Sequence, residues 1–334
     1  MKVRVRDIAA AAGVSPATVS NVFNGNNRVS ESTKLKVLEL ARKMGYQDPS
    51  IPTLKKSIQF VIFRKHGRVI IDSPFFSELI SGIESACRKN QYELTITYLN
   101  IDEREAVESL IRDATRPILL LATEISEEDL RPFLSVKVPL VLLDSNFLNL
   151  SFHSVHIDNV KAGYLAGMHF IQRRHRHLGM ITSSHPFNNV RDRRAGFEIA
   201  LRENGLQLRE EDVFPVDPTV EGAYEDMRRM LIAHRGELPT GIFAFNDLVA
   251  AGAVRALHSE NIAVPEQVSV IGMDNMPAAA MINPPLTTVD VPKYTMGMQA
   301  VERLIQLSSK PEHPIMKLVA DVRLVERESV ALKA

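Results

Sequence analysis

Cysteine occurs once in this chain, as Cys87. One thiol excludes an intramolecular disulfide framework and fits a reducing compartment. No apolar run approaches bilayer-spanning length, and the opening MKVRVRDIAA lacks the continuous apolar core of an export signal. The expectation is a cytoplasmic protein with no membrane partner. Net charge is absent too, because 40 Lys and Arg offset 40 Asp and Glu. There is no P-loop, no nucleophile elbow and no His-Glu-x-x-His pair, so nothing argues for an enzyme. His153, His156 and the run Arg174-His175-Arg176-His177 have no Cys or carboxylate at ligand spacing. They are expected to be solvated loop residues rather than a metal site. No cofactor is expected.

Position reveals what the totals conceal. Residues 1–46 hold eight Lys and Arg against three Asp and Glu, leaving 32 against 37 for the rest. A basic head on a mildly acidic body is the asymmetry expected where only the head touches phosphates. The 334 residues allow about two domains, each with its own core.

The head has the pattern of three short helices. Val5–Ala12 places Ile8, Ala9 and Ala12 at helical spacing before Gly13 stops it. Ser15 is a good N-cap, and Pro16 at the first helical position loses no hydrogen bond. Val19, Val22 and Phe23 then form one apolar stripe, which Asn24-Gly25-Asn26-Asn27 terminates. A third helix starts at Ser30, turns Leu35, Val37, Leu38 and Ala41 inward and stops at Gly45. Two helices joined by Gly13-Val14-Ser15 make a helix-turn-helix, whose second helix enters the DNA major groove. A plain three-helix bundle has similar spacing, and the basic charge favours DNA. Pro16, Ala17, Thr18 and Asn21 form the exposed front. Asn21 suits adenine, or a phosphate without base reading.

Residues 5–46 closely resemble the DNA-binding head of the lactose/galactose repressor (LacI/GalR) family. The elements that carry the resemblance are D-I-A-x-x-A-G-V-S, A-T-V-S, the N-G turn, V-S and the terminal G-Y. It implies a sequence-specific DNA-binding regulator, a repressor, on double-stranded operator DNA with an inverted repeat. Its DNA-contacting positions correspond here to Ser15, Pro16, Ala17, Thr18, Ser20, Asn21, Asn24, Arg28 and Leu54.

From Ser57 onward, short apolar runs alternate with amphipathic stretches. Expected strands are Ile58–Phe63, Leu94–Tyr98, Ile118–Leu121, Leu140–Leu143, Leu178–Thr182, Gly241–Phe245 and Val268–Met273. Expected helices are Phe76–Lys89, Val160–Arg173, Arg193–Glu203, Glu221–His234, Asp247–Ser259 and Tyr294–Leu307. Such alternation predicts an α/β body with parallel sheets covered on both faces. Ligands then bind beyond the carboxyl ends of strands, where Asp144, Asn246, Asp247, Asp274 and Asn275 fall. Arg193 is expected to open a helix. Each Asp or Asn has an alternative role as a helix cap. Together they offer acceptors and a forked donor suited to hydroxyls or a carboxylate.

The family resemblance continues to about residue 325, through Pro74-Phe75-Phe76, Val138–Asp144, Arg193–Phe197, Phe245-Asn246-Asp247, Val270–Asp274 and Pro284–Val289. It implies a two-lobed, periplasmic-binding-protein-like sensor that works as a homodimer. Its effector-contacting positions correspond here to Arg193, Asn246, Asp274 and the segment Ser73–Phe76, one of Phe75 and Phe76 being plain core. Asp144 joins them as a further candidate, and Arg193 and Asp274 are expected to face each other across the cleft. The implied lobe one is about 57–157 with 290–320, and lobe two about 158–289 with 321–334. A sugar is the favoured effector, with a purine or nucleoside as runner-up. No heptad repeat follows Arg323-Leu324, which favours dimer over tetramer. A free sugar-binding transport protein would share the body but needs an export signal and no DNA-reading head.

Two stretches depart from the family pattern. The linker, residues 47–56, lacks the N-x-x-A-R-x-L hinge and carries Pro49 and Pro52. Pro52 opposes a regular hinge helix, and with it a sharp DNA kink, leaving Leu54 as the sole candidate wedge. Arg64-Lys65-His66-Gly67-Arg68 is an insertion after the first body strand, expected as a solvated loop. Deleting residues 1–56 should abolish specific DNA affinity yet leave a folded, effector-binding dimer. In the intact protein that affinity should fall steeply with salt in filter-binding or anisotropy titrations. An affinity unchanged by the deletion would refute this division of labour.

Overall fold

The computed structural model describes residues 3–24, 29–46, 56–69, 73–185, 187–234, 237–309 and 314–334. Most of the linker, with Leu54, lies outside the described residues, as do Arg28 and the side chain of Leu35.

The head is a three-helix unit with its own core. Helix α1 (Val5–Ala12) ends at Gly13, whose φ of 69° lets the Gly13 and Val14 N–H groups turn back onto the Ala10 and Ala9 carbonyls. Helix α2 (Pro16–Phe23) starts under Ser15, whose Oγ accepts from Thr18 N–H at 3.1 Å. Helix α3 (Glu31–Lys43) follows Ser30, whose Oγ accepts from Thr33 N–H at 3.4 Å. Ile8, Ala12, Val19, Val22, Phe23, Val37 and Leu38 pack together between the three.

The body begins with β1 (Lys56–Arg64), α4 (Pro74–Lys89), β2 (Tyr92–Asn100), α5 (Arg104–Asp113) and β3 (Ile118–Leu121). It continues through α6 (Glu127–Leu130), β4 (Leu140–Leu143) and β5 (His153–Ile157). Next come α7 (Asn159–Gln172), β6 (Leu178–Ser183), α8 (Asn188–Glu203), β7 (Val213–Val216) and α9 (Val220–Ala233). Strand β8 (Gly241–Ala244), α10 (Asp247–Ser259), β9 (Ser269–Asp274) and β10 (Thr287–Asp290) follow. The chain closes with α11 (Lys293–Ser309), β11 (Lys317–Ala320) and β12 (Arg323–Val325).

These strands form two six-stranded sheets, ordered β11-β5-β4-β3-β1-β2 and β12-β10-β9-β8-β6-β7. Every pair of described register is parallel except β10 with β12. We call the first sheet with its helices lobe one and the second lobe two. The chain passes between them three times, after β5, after β10 and between β11 and β12. Inner strands β3, β4, β8 and β9 are buried along their whole length, as expected for parallel sheets covered on both faces.

Helices within a lobe meet backbone to backbone. A Cβ added at Gly196 of α8 would lie 1.8 Å from the Val160 carbonyl oxygen of α7, and one at Gly163 would lie 1.9 Å from that of Arg193. In lobe one, Gly82 of α4 and Gly297 of α11 make the same approach, at 2.0 Å from Tyr294 O and 2.2 Å from Leu79 O. Helix propensity alone favours alanine over glycine by about 1 kcal/mol. Gly196→Ala should nevertheless cost about 1–3 kcal/mol, because the helices must separate. Denaturant titration measures this, and a stabilised variant would contradict the contact.

Candidate functional site

The head presents a short polar face. Ser15, Pro16, Ala17, Ser20 and Asn24 are exposed, while Thr18 and Asn21 are half-buried on the same helix start and flank. The Ser15 and Thr18 hydroxyls lie 2.9 Å apart. Ser15 thus caps the helix while its hydroxyl stays at the surface.

The second site is an open cavity of about 330 Å³ between the lobes, at the carboxyl ends of the strands. Lobe one contributes Ser73, Phe75, Phe76, Thr123 and Asp144; lobe two contributes Asn189, Arg193, Phe245, Asn246 and Asp274. All seven effector candidates from the sequence therefore line one cleft. Both Phe75 and Phe76 belong to it, although each is buried. Asn246 is both lining and N-cap, its Oδ1 accepting from Val249 N–H at 2.8 Å. Asp247 turns away from the cleft, accepting from Thr288 Oγ1 at 2.6 Å and Met276 N–H at 2.7 Å.

Arg193 does not open its helix. Helix α8 starts at Asn188, so Asn189 and Arg193, four residues apart, point the same way into the cleft. The Arg193 Nε donates to Asn159 Oδ1 at 2.9 Å, and its Nη1 donates to the Phe245 carbonyl. Nor do Arg193 and Asp274 oppose each other across the cleft, since both α8 and β9 belong to lobe two. The acid facing them from lobe one is Asp144, whose carbonyl accepts from Asn189 Nδ2 at 2.9 Å.

Asp144 and Asp274 share an unusual state. Each stands at the end of an inner strand with a left-handed backbone, φ 62° and 104°, which side-chain-bearing residues rarely adopt. Thr123 Oγ1 donates to Asp144 Oδ2 at 2.7 Å, while Oδ1 has no partner among the described residues. The Asp274 Oδ1 is likewise unpartnered, although Lys293 Nζ donates to the Asp274 carbonyl at 2.6 Å. Burial pushes Asp144 up to about 7 against the pull of Thr123 and Arg193. It pushes Asp274 up to about 6 against Arg193 and Lys293. The same burial lowers Arg193, which these two acids oppose. The cleft thus brings together two buried carboxyls, one forked cation and walls of Phe75, Phe76, Phe187 and Phe245.

The histidines correct an expectation. His153 and His156 are buried on β5, and His175 is fully buried, so none is a solvated loop residue. His153 Nδ1 accepts from Met316 N–H at 3.0 Å, and His175 lies 2.9 Å from Thr240 Oγ1 and 3.1 Å from the Ala331 carbonyl. Burial pushes His175 down to about 4, which marks it as a neutral packing residue. No group of three side chains suited to a metal occurs among the described residues, nor does any helix there have the length and apolarity to cross a membrane. Thr123, Phe187 and Asn189 were not foreseen as lining the cleft. Thr123 follows a strand end, the signal that found Asp144, and Asn189 sits one turn before Arg193.

Comparison with known proteins agrees with this architecture. Residues 4–49 match the family described as bacterial regulatory proteins, lacI family, and residues 168–330 match the periplasmic binding protein-like domain. The HTH-type transcriptional repressor PurR of Yersinia enterocolitica is 33% identical over 98% of this chain and 96% of its own. The ribose operon repressor of Haemophilus influenzae is 29% identical over 98% of both chains. Among solved structures, a LacI family transcriptional regulator from Enterococcus faecium with bound ribose superposes with a TM-score of 0.71. It is 27% identical, over 84% of this chain and 100% of that one. These relatives are transcriptional regulators, not enzymes. The chain belongs to the LacI family of bacterial regulatory proteins.

Proposed function

We propose that this protein is an operator-binding repressor, acting as a homodimer on an inverted repeat, whose DNA affinity is set by a sugar held between its lobes. The carrying observation is the pair of unpartnered carboxylate oxygens, on Asp144 and Asp274, facing one cleft from different lobes. A carboxyl accepts when ionised and can also donate when protonated, and a hydroxyl complements it in either state. A sugar brings several hydroxyls for Asp144, Asp274 and Arg193, and apolar C–H faces for the phenylalanines. By touching both lobes at once it couples its own binding to their spacing. Names of relatives support the same class: a ribose operon repressor and a regulator with bound ribose. The four phenylalanines favour a purine or nucleoside as the second reading, and several relatives are named PurR. The head supplies the DNA contacts through Ser15 to Asn24.

Thermal-shift screening of the full chain with ribose, other sugars, purine bases and nucleosides decides between these. A ligand that binds only the folded state raises Tm by mass action. Arg193→Ala and Asp274→Ala should each weaken the responding ligand by roughly 2–4 kcal/mol in calorimetry, since each leaves a partner uncompensated. Both should leave operator binding by the ligand-free protein nearly intact. Normal titrations in both variants would remove these residues from the site.

The carboxyls also set a pH dependence. A carboxyl raised on folding holds its proton more tightly folded than unfolded. Its contribution to stability is fully present below the ordinary value of 3.8 and is lost as pH rises through about 6 for Asp274 and about 7 for Asp144. Asp247, pushed by burial up to about 8, extends the same fall. Ligand-free Tm should therefore drop between pH 5 and pH 8, and less steeply in Asp144→Asn. Parallel melting profiles for the variant and the parent would refute the assignment.

A further inference from the structure

The insertion after β1 is not the solvated loop its composition suggests. Glu124, beyond β3, has a fully buried side chain whose acceptors are matched by backbone donors of this one loop. Its Oε2 accepts from the N–H groups of Lys65 at 2.9 Å, His66 at 3.1 Å and Gly67 at 2.8 Å, and its Oε1 from Val69 N–H at 3.1 Å. Successive amides wrapped around an anion form a rigid concavity. Gly67, with φ 74°, supplies the left-handed turn that aims them inward. Lys65 adds an ion pair to Asp129 at 2.8 Å. The loop is thus fastened to lobe one along its length.

Two of its side chains also reach the other lobe. Arg68 pairs with Asp217, which follows β7 in lobe two. Asp217 is itself held in place, accepting from Thr219 Oγ1 at 2.8 Å and Thr219 N–H at 3.2 Å, while its own N–H donates to Asp226 Oδ2 at 2.9 Å. The His66 ring packs on the ring of His185, beyond β6, with centroids 4.5 Å apart. Val69, next in sequence, lines the effector cleft, so these contacts stand at its mouth.

We propose that residues 65–69 are a clasp, anchored on lobe one by Glu124, that holds the lobes together at the cleft mouth before any effector is present. The clasp adds a closed population to the ligand-free protein, and an effector acts on that existing equilibrium rather than creating closure outright. The inference rests on contacts between lobes and not on what the cleft binds. Arg68 is more than half exposed, so its pair is a modest one. It shifts the open-to-closed ratio by up to about five-fold, the upper end for a single exposed ion pair.

Inter-lobe distances in the ligand-free full chain test this. Glu128 of α6 and Glu225 of α9 are exposed, one on each lobe, and take spin labels as Glu128→Cys and Glu225→Cys. Native Cys87 does not compete, being buried with its thiol pushed up to about 11. Pulsed dipolar spectroscopy should show the longer-distance population rising at least two-fold in Arg68→Glu and in Asp217→Arg. Combining them should restore the parent distribution. Glu124→Gln should widen the distribution as well, although it alters no residue that touches lobe two. Circular dichroism confirms that each variant is folded. Unchanged distances in both single variants, or a charge swap that fails to restore the parent, would overturn the clasp. The swap also separates a specific pair from a general charge effect.

Discussion

Arg193 is 5% exposed, and a guanidinium so placed must find acceptors on every side. It draws them from separate parts of lobe two: Asn159 at the start of α7 and the carbonyl of Phe245 beyond β8. Asp274 at the end of β9 and Asp144 from lobe one balance its charge. None of this is reachable unless α8 lies directly against α7, which the glycines at 163 and 196 permit. The arrangement ties the first helix after a lobe crossover to the cleft. A shift of one lobe against the other therefore changes the surroundings of this one side chain.

Much of this was legible in the residues themselves. The head could be read helix by helix because its stops and starts are chemical: Gly13 at a left-handed end, Ser15 and Pro16 at a helix start. Inner strands such as Ile118–Leu121 and Leu140–Leu143 announced themselves as unbroken apolar runs, since both their faces are covered. Several polar or edge strands did not, although Leu94–Tyr98 of edge strand β2 did. Strand β5 reads His-Ser-Val-His-Ile; His153 finds its partners on α11 and in the segment before β11, far away in sequence, and His156 lies against Ser154 of its own strand. Strand β7 contains Pro215, which an edge tolerates and a sequence pattern counts against. Helix α5 contains no fully buried residue, although Val107, Leu110 and Ile111 form a helical stripe packed against the lobe-one core.

The cleft was legible as a set of residue types and not as a geometry. Polar residues after strands pointed to Asp144, Asn246 and Asp274, but which lobe each would stand on depends on where the chain crosses. The lobe boundaries implied by the resemblance put Arg193 and Asp274 together in lobe two, as the sheet order does, so the expectation that they oppose each other across the cleft was at odds with those boundaries. Nothing local marks Glu124 as the anchor of a loop 55 to 59 residues earlier. Its partners are backbone amides, which every residue carries, so the pairing leaves no signature in side-chain composition.

The three crossings bear on how such a chain is completed during synthesis. Lobe one requires α11 and β11, and lobe two requires β12, so neither sheet is whole until residues 317–325 have been made. The head, by contrast, has all of its core by Tyr46. A nascent chain therefore owns a finished DNA-reading unit long before either half of its sensor can close. Up to that point the half-built lobes expose the apolar faces that the last elements cover, which makes the final stretch of translation the interval of greatest exposure to misassociation.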